Sequence, residues 1–72
     1  MYSRRLIMET KEFTRRLRIL GIGKGELSLA VGHPRWYISA ILAQERLDRE
    51  EAQSMLAVAR RMHDERMATI ID

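Results

Sequence analysis

Residues 21–42 read GIGKGELSLAVGHPRWYISAIL, and this segment contains the clearest structural signals of the chain. Its first half predicts a short helix over residues 26–31, where apolar residues recur at a spacing that places them on one face. Those residues are Leu27, Ala30 and Val31. Gly32 then ends the helix, because a residue without a side chain adopts the left-handed terminal conformation at little cost. Gly23 and Gly25 are expected to loosen the chain before this helix.

A second helix is expected over residues 35–43. Pro34 suits its first turn, since the N–H that proline lacks would have no partner there. The residues that face the core are Ile38, Ile41 and Leu42, and those left pointing elsewhere are Arg35, Trp36, Ser39 and Ala40. The unit as a whole covers residues 24–43. Helix, glycine turn and helix form the pattern of a helix-turn-helix, whose second helix usually enters a DNA major groove.

The segment resembles the lambda-repressor-like, Cro/C1-type helix-turn-helix family, also called the xenobiotic-response-element (XRE) family. The residues that carry the resemblance stand in one gapless register: Gly21, Ile22, Glu26, Leu27, Gly32, Ile38, Ser39 and Ile41. The match extends over about residues 11–60. It implies an all-α fold, a compact bundle of four to five helices in a single domain covering residues 1–72.

Two leucines stand where the family often has an ion pair. Leu17 replaces an Arg of the first helix, and Leu42 replaces a Glu of the second motif helix. A buried ion pair is exchanged for packed apolar residues at little cost, whereas the loss of one partner alone is expensive. The double exchange therefore predicts that Leu17 and Leu42 touch. Ser28 stands where the family usually has Ala, a small residue for a small one.

The first helix is expected over about residues 4–20, and Gly21 would end it. The residues on its inner face would be Leu6, Thr10, Phe13, Leu17 and Leu20. The alternative is that residues 1–9 form a basic arm that carries Arg4 and Arg5.

The last part of the chain is expected to be helical over residues 48–70. Asp48 followed by Glu51 is typical of a capping-box start. Because no Gly or Pro follows Pro34, the pattern predicts either one long C-terminal helix or two nearly collinear ones. Its inward stripe would be Met55, Leu56, Ala59 and Met62. Apolar residues towards its end extend beyond the core of one chain, which predicts a homodimer surface. The residues of that surface would be Met62, Met67, Ile70 and Ile71.

The charge of the chain is uneven. It carries a net charge of +3, from 13 Lys and Arg against 10 Asp and Glu. Residues 1–46 hold nine of the cations and four of the acids, a net +5, whereas residues 47–72 hold four and six, a net −2. A basic front and a mildly acidic rear suit a molecule that presents one side to phosphates.

The composition argues against several other classes of protein. The 72 residues contain no Cys, so no disulfide stabilises the domain, and a reducing cytoplasm fits. No apolar run approaches the roughly 18–20 residues of a membrane span, and the first ten residues are too polar for a signal peptide. We therefore expect a cytoplasmic, nucleoid-associated protein without a membrane partner.

No pattern in the sequence indicates catalysis, a metal site or a cofactor. His33 and His63 lie on separate elements, with no nucleophile or second ligand at a useful spacing. The segment GIGKG at residues 21–25 lacks the spacing and the preceding strand of a phosphate-binding loop. We expect a protein that is not an enzyme.

The resemblance assigns roles to individual residues. The positions that read base edges in the family fall on Arg35, Trp36, Ser39 and Ala40. The expected phosphate contacts are Lys24, His33, Tyr37 and Arg46. Arg35 is the natural reader of guanine, through O6 and N7, and Ala40 is suited only to contact with a thymine methyl.

Two functions are compatible with these observations. The first is a sequence-specific transcriptional regulator of the Cro/repressor type that binds double-stranded DNA as a homodimer, and the resemblance implies a phage or mobile-element repressor. The alternative is a protein-interaction module on the same fold, such as an antitoxin or a phage-encoded inhibitor of a host protein. That module would use an exposed Trp36 or the C-terminal helix. A Trp36 that folds back onto the domain would serve neither purpose.

Overall fold

Two short strands and four helices make up the part of the chain that the structure describes. The computed structural model describes residues 7–71, and the side chains within residues 7–69. In chain order the elements are β1 (Ile7–Glu9), α1 (Thr10–Leu20), α2 (Lys24–Ala30), α3 (Tyr37–Ile41), β2 (Arg46–Asp48) and α4 (Arg49–Ile71). This part of the chain is mostly helical and ends in a long helix, as expected.

The two strands correct the expectation of an all-α fold. β1 and β2 pair antiparallel with Met8 opposite Leu47, and both of these side chains are buried. The backbone N–H and the hydroxyl of Thr10 both donate to the carbonyl of Glu45, at 3.1 and 3.2 Å, beside this pair. The helix expected over residues 4–20 is therefore wrong at β1. Its residues pair with a strand far along the chain, which local periodicity does not reveal.

The first helix begins at Thr10 and is amphipathic. Its inward side chains are Phe13, Leu17 and Leu20, which confirms the predicted stripe over this range. Gly21 ends the helix in the left-handed conformation, with φ 70°, and its N–H donates to the carbonyl of Arg18 at 3.1 Å. The expected end of the helix is thus confirmed.

Two expectations fall on residues whose side chains the structure does not describe. One is the choice between helix and basic arm at Arg4 and Arg5, together with the inward placement of Leu6. The other concerns the end of the C-terminal helix. The backbone of α4 continues to Ile71, but the side chains of Ile70 and Ile71 are outside the described set.

α2 and α3 occupy the expected stretch with different ends. α3 spans only five residues, against the expected 35–43. Before it, the N–H of Tyr37 donates to the carbonyl of Pro34 at 2.9 Å, and after it the N–H of Gln44 donates to the carbonyl of Ile41 at 3.1 Å. Both bonds join residues three apart, so the chain turns more tightly there than an α-helix does. α2 begins two residues before its expected start and ends one residue early.

Burial along α2 and α3 follows the expected faces with one exception. The side chains that pack inward are Leu27, Val31, Ile38, Ile41 and Leu42. Ala30, which was expected on the inner face, is exposed, and Ser28 is buried instead. Gly32 has φ 87°, which confirms the left-handed helix end predicted there.

Leu17 and Leu42 belong to the same core. Leu17 is buried, and Leu42 is half-buried against the cluster that contains Leu17. Leu42 also lines a shallow depression with Thr14 and Arg18, which flank Leu17 on α1. The direct contact of the two leucines stays a prediction, and their placement is compatible with it.

α4 is one continuous helix of 23 residues, which resolves the choice between one helix and two. Oδ2 of Asp48 accepts the N–H of Glu51 at 3.0 Å, so the Asp48 half of the expected capping box is formed. The inward stripe includes Met55, Leu56, Ala59 and Met62, as expected, together with Ala52 and Val58. At a rise of about 1.5 Å per residue the helix is roughly 34 Å long.

Candidate nucleic-acid interface

The outer face of α3 carries the four side chains expected to read bases. They are Arg35 and Trp36, just before the helix, and Ser39 and Ala40, on it. All four are exposed, whereas Ile38 on the opposite side is fully buried and fixes the rotation of the helix. Trp36 is 65% exposed, so it does not fold back onto the domain.

A buried hydroxyl joins α2 to α3. The Oγ of Ser28 donates to the carbonyl of Lys24 at 2.8 Å and accepts the N–H of Ile38 at 2.9 Å. Ile38 lies in the first turn of α3, where a backbone N–H has no partner within its own helix. Ser28 therefore caps α3 from a neighbouring helix and holds the two helices at one angle. Sequence reasoning missed this role, and the available signal was a hydroxyl next to the inward-facing Leu27.

Ser28→Ala is expected to lower the free energy of unfolding by about 1–3 kcal/mol, because the N–H of Ile38 would stay buried without an acceptor. Ser54→Ala is the matched control, since Ser54 is exposed on α4. That change should stay within about 0.5 kcal/mol of the wild type. Urea unfolding followed by far-ultraviolet circular dichroism measures both, and equal losses in the two variants would contradict the proposed role of the hydroxyl.

The turn between α2 and α3 is tied to α4 through an aromatic pair. The rings of His33 and Tyr37 stack with their centroids 3.7 Å apart and their planes at 10°. The hydroxyl of Tyr37 donates to Oε2 of Glu51 at 3.4 Å. Partial burial, followed by the charge of Glu51, raises the pKa of Tyr37 above its ordinary value, so the hydroxyl remains a donor. Tyr37 was expected to meet a phosphate, but its hydroxyl is occupied by a carboxylate that would repel one.

α4 also holds the start of α2. Oε2 of Glu26 accepts the N–H of Gly23 at 2.7 Å, which is one half of a capping box. The guanidinium of Arg66 binds the other oxygen of Glu26 and donates to the carbonyl of Gly21 at 3.5 Å. The hydrogen bond from Gly23, and then that from Arg66, lowers the pKa of Glu26. Lys24, the first residue of α2, is exposed. The start of the helix is held by Glu26 within α2 and by Arg66 from α4.

Glu26→Gln is expected to make the stability of the fold less dependent on pH. The folded-state pKa of Glu26 lies below its ordinary value of 4.5. The carboxylate therefore contributes stability above that value and loses the contribution as the pH falls through the folded-state pKa. Between about pH 6 and about pH 3 the wild type should lose more free energy of unfolding than Glu26→Gln does.

The control for this titration is Ser54→Ala, on the exposed side of α4. It should follow the wild-type pH profile, because it removes no ionisable group and Ser54 takes no part in the bonds at the start of α2. Urea unfolding at the two pH values gives the comparison. Parallel profiles for the wild type and Glu26→Gln would show that the Gly23 and Arg66 bonds do not set the pKa.

The cations of the described residues differ in whether a carboxylate neutralises them. Arg15 and Arg16 both bind Glu12 at 2.7 Å on the surface of α1, and they lower the pKa of that carboxyl. Within residues 7–69, the cations without a carboxylate partner are Lys11, Arg18, Lys24, Arg35, Arg46, Arg60 and Arg61. Lys24 and Arg35 are the two of these that belong to α2 and the start of α3. Both side chains are exposed, and Arg35 lies two residues before α3.

Arg46 lies in a less basic setting than Lys24. It forms part of β2 and stands opposite Glu9 in the sheet. Glu9, Arg46, Lys11 and Glu45 line one depression, where two acids balance two cations. The two acids offset the positive charge of Arg46 within this depression.

The residues of the expected dimer surface differ in exposure. Met62 is half-buried against the core of its own chain, and its place in a dimer surface stays a prediction. Met67 is 45% exposed and is the member of the expected set that stands out from the core within residues 7–69. An apolar side chain at this exposure near the end of α4 is compatible with a partner surface.

The two histidines have separate surroundings. His33 stacks on Tyr37, and Nδ1 of His63 lies 3.3 Å from a carboxylate oxygen of Asp64. The described residues contain no group of three or more His, Cys, Asp or Glu side chains that could hold a metal ion. In the same residues, no helix combines the length and the apolar character needed to cross a bilayer.

Comparisons with known protein families, with curated proteins and with solved structures each find no match. What supports a function is therefore the geometry of α2 and α3 with their flanking cations.

Proposed function

We propose that this protein is a sequence-specific transcriptional regulator that binds double-stranded DNA with α3 in the major groove. The main support for the proposal is a set of exposed side chains, two just before α3 and two on its outer face. They are Arg35, Trp36, Ser39 and Ala40. Ile38 and the Ser28 hydrogen bond hold the opposite side of the helix. The major groove is about 12 Å wide and accepts a helix of about 10–12 Å diameter. In this arrangement the outer face of α3 contacts the major groove while its inner face stays packed on the core.

The residues divide into base readers and phosphate contacts. Arg35 pairs with a guanine, and Ser39 and Ala40 lie along the neighbouring base edges. Trp36 packs on sugar or on a thymine methyl. Lys24 is the principal phosphate contact, because it is exposed and has no carboxylate partner within the described residues. His33 and Arg46 are secondary phosphate contacts, and the Tyr37 hydroxyl holds α3 to α4.

The proposed active form is a homodimer on a two-fold site. One chain offers a single α3, and a second chain related by two-fold symmetry would place its α3 about 34 Å away, one helical turn along the DNA. Met67, with Ile70 and Ile71 next along α4, would form the contact between chains. The resemblance supports a repressor of phage or mobile-element type that acts in the cytoplasm on the nucleoid.

Lys24→Ala is expected to weaken binding to all duplexes by a similar factor, because a phosphate contact carries no sequence information. The change removes one phosphate-binding cation from each chain of a dimer. The slope of log Kobs against log salt should therefore become shallower by about 1.8. Fluorescence anisotropy on a random-sequence duplex at several salt concentrations measures the slope.

The charge-matched control for this change is Arg61→Ala. Arg61 is exposed on α4 and is not a member of the proposed interface. The control removes the same charge from the chain, so it should leave the slope close to that of the wild type. Equal changes of slope in the two variants would mean that net charge, and not Lys24, determines binding.

A second function is favoured by one observation, the 65% exposure of Trp36. Tryptophan is enriched among the residues that dominate protein–protein binding energy. A protein-interaction module of the antitoxin or inhibitor type would bind its partner through Trp36, and that binding would survive high salt. DNA binding by the proposed regulator would instead fall steeply with salt, which separates the two functions.

A further inference from the structure

Gly25, the second residue of α2, faces the side chain of Arg35. A Cβ atom at Gly25 would lie 2.8 Å from Cγ, 3.1 Å from Nη1 and 3.4 Å from Cδ of Arg35. Ordinary carbon–carbon contacts are about 3.5–4.0 Å. Arg35 therefore lies across the first turn of α2 and occupies the space that a side chain at position 25 would need.

The backbone at Gly25 does not require a glycine. Within the described residues the only glycines with positive φ are Gly21 and Gly32. Glycine is also among the poorest residues in a helix, because it loses the most conformational freedom on folding. What glycine contributes at position 25 is the missing side chain, and the expectation that it loosens the chain is replaced by this steric role.

Electrostatics within the chain does not explain the position of Arg35. Its guanidinium has no carboxylate partner in residues 7–69. The start of a helix carries a partial positive charge, which would repel a guanidinium placed over it. The observation that remains is steric, since the Arg35 side chain fills the space beside the backbone of Gly25 that a Cβ atom would occupy.

We infer that Gly25 is a positioning residue that directs the Arg35 guanidinium towards one base pair. The inference rests on the proposed function, because Arg35 is the proposed reader of a guanine. A guanidinium meets O6 and N7 of guanine through two parallel hydrogen bonds, so its plane has to match the plane of the base. A side chain at position 25 would move the Arg35 guanidinium out of the plane of the base while leaving its charge beside the DNA.

Site selection from a random duplex pool tests the inference with Gly25→Ala, Arg35→Ala and the double variant. The wild type should discriminate at the base pair of Arg35 by about 5- to 150-fold, the range expected for one bidentate pair. Gly25→Ala should lose most of this discrimination at the same base pair and keep its affinity for random duplex within about twofold. In the Arg35→Ala background, Gly25→Ala should change nothing further, because the effect passes through Arg35.

A second readout needs no DNA. In the free wild-type protein, nuclear Overhauser effects should connect the α-protons of Gly25 with the γ- and δ-methylene protons of Arg35. The melting temperature of Gly25→Ala should not fall, since alanine is the better helix former. The contact is thus measurable in the wild type even where a variant folds poorly, and its absence would overturn the inference.

The outcomes separate the inference from the proposed function. A wild type without any sequence preference would overturn both. A wild-type preference that Arg35→Ala relaxes and Gly25→Ala leaves intact would overturn the inference alone. Loss of discrimination in Gly25→Ala at the Arg35 base pair, with random-duplex affinity retained, would support it.

Discussion

Arg35→Ala is expected to weaken binding of the dimer to its selected site by roughly 30-fold to 10⁴-fold. Each half-site loses one bidentate guanine pair, which is worth about 1–3 kcal/mol, and the dimer has two half-sites. Affinity for random duplex should fall far less, because phosphate contacts such as that of Lys24 remain. Anisotropy competition between the selected site and single-base variants of it measures the loss of preference at one base pair in each half-site.

Two further variants separate the geometry of the Arg35 guanidinium from its charge. Arg35→Lys keeps the charge but lacks the planar fork, so it should relax the preference while random-duplex affinity stays near the wild-type value. Arg18→Ala removes the same charge from the exposed side of α1 and should leave the preference intact. A site preference that is unchanged in Arg35→Ala would mean that Arg35 is not the reader.

Ile38→Ala is expected to lower the free energy of unfolding by about 2–5 kcal/mol. Ile38 is fully buried on the inner side of α3, and its backbone N–H donates a hydrogen bond to the Oγ of Ser28. At about 0.05–0.15 kcal/mol per residue, a domain of this size has roughly 4–11 kcal/mol in total. The variant should therefore have little stability left, and its DNA binding should fall because α3 is no longer held in place.

The control for this core change is Ser39→Ala on the same helix. Ser39 is exposed on the outer face of α3, so its replacement should change stability by less than about 0.5 kcal/mol. Urea unfolding gives both values. A decrease below about 1 kcal/mol in Ile38→Ala would contradict the placement of its side chain in the core.

Local signals in the sequence were sufficient for the helices and for several of their ends. Gly21 and Gly32 take the left-handed conformation that ends a helix, and the Asp48 cap starts α4. The strands escaped prediction for a different reason. Met8 and Leu47 become a buried pair only when two distant segments meet. A run of three residues is also too short for the alternation of apolar and polar residues that predicts a strand.

The outer face of α3 was predictable because helical spacing determines which residues are opposite the core. The bonds that hold α3 and α2 in place were not predictable in the same way. Ser28 reaches Ile38 across 10 positions, and Arg66 reaches Glu26 across 40. Spacing tells which face a polar residue occupies, but the choice of its partner depends on how the helices are arranged in space.

We propose that α3 of two chains reads a two-fold DNA site. Selection of bound duplexes from a random pool, with the mass of the resulting complex determined by light scattering, tests it most directly. We expect a two-fold sequence bound by two chains, with half-sites about 10–10.5 base pairs apart. Equal recovery of all sequences, or no binding above the low-salt background, would contradict the claim.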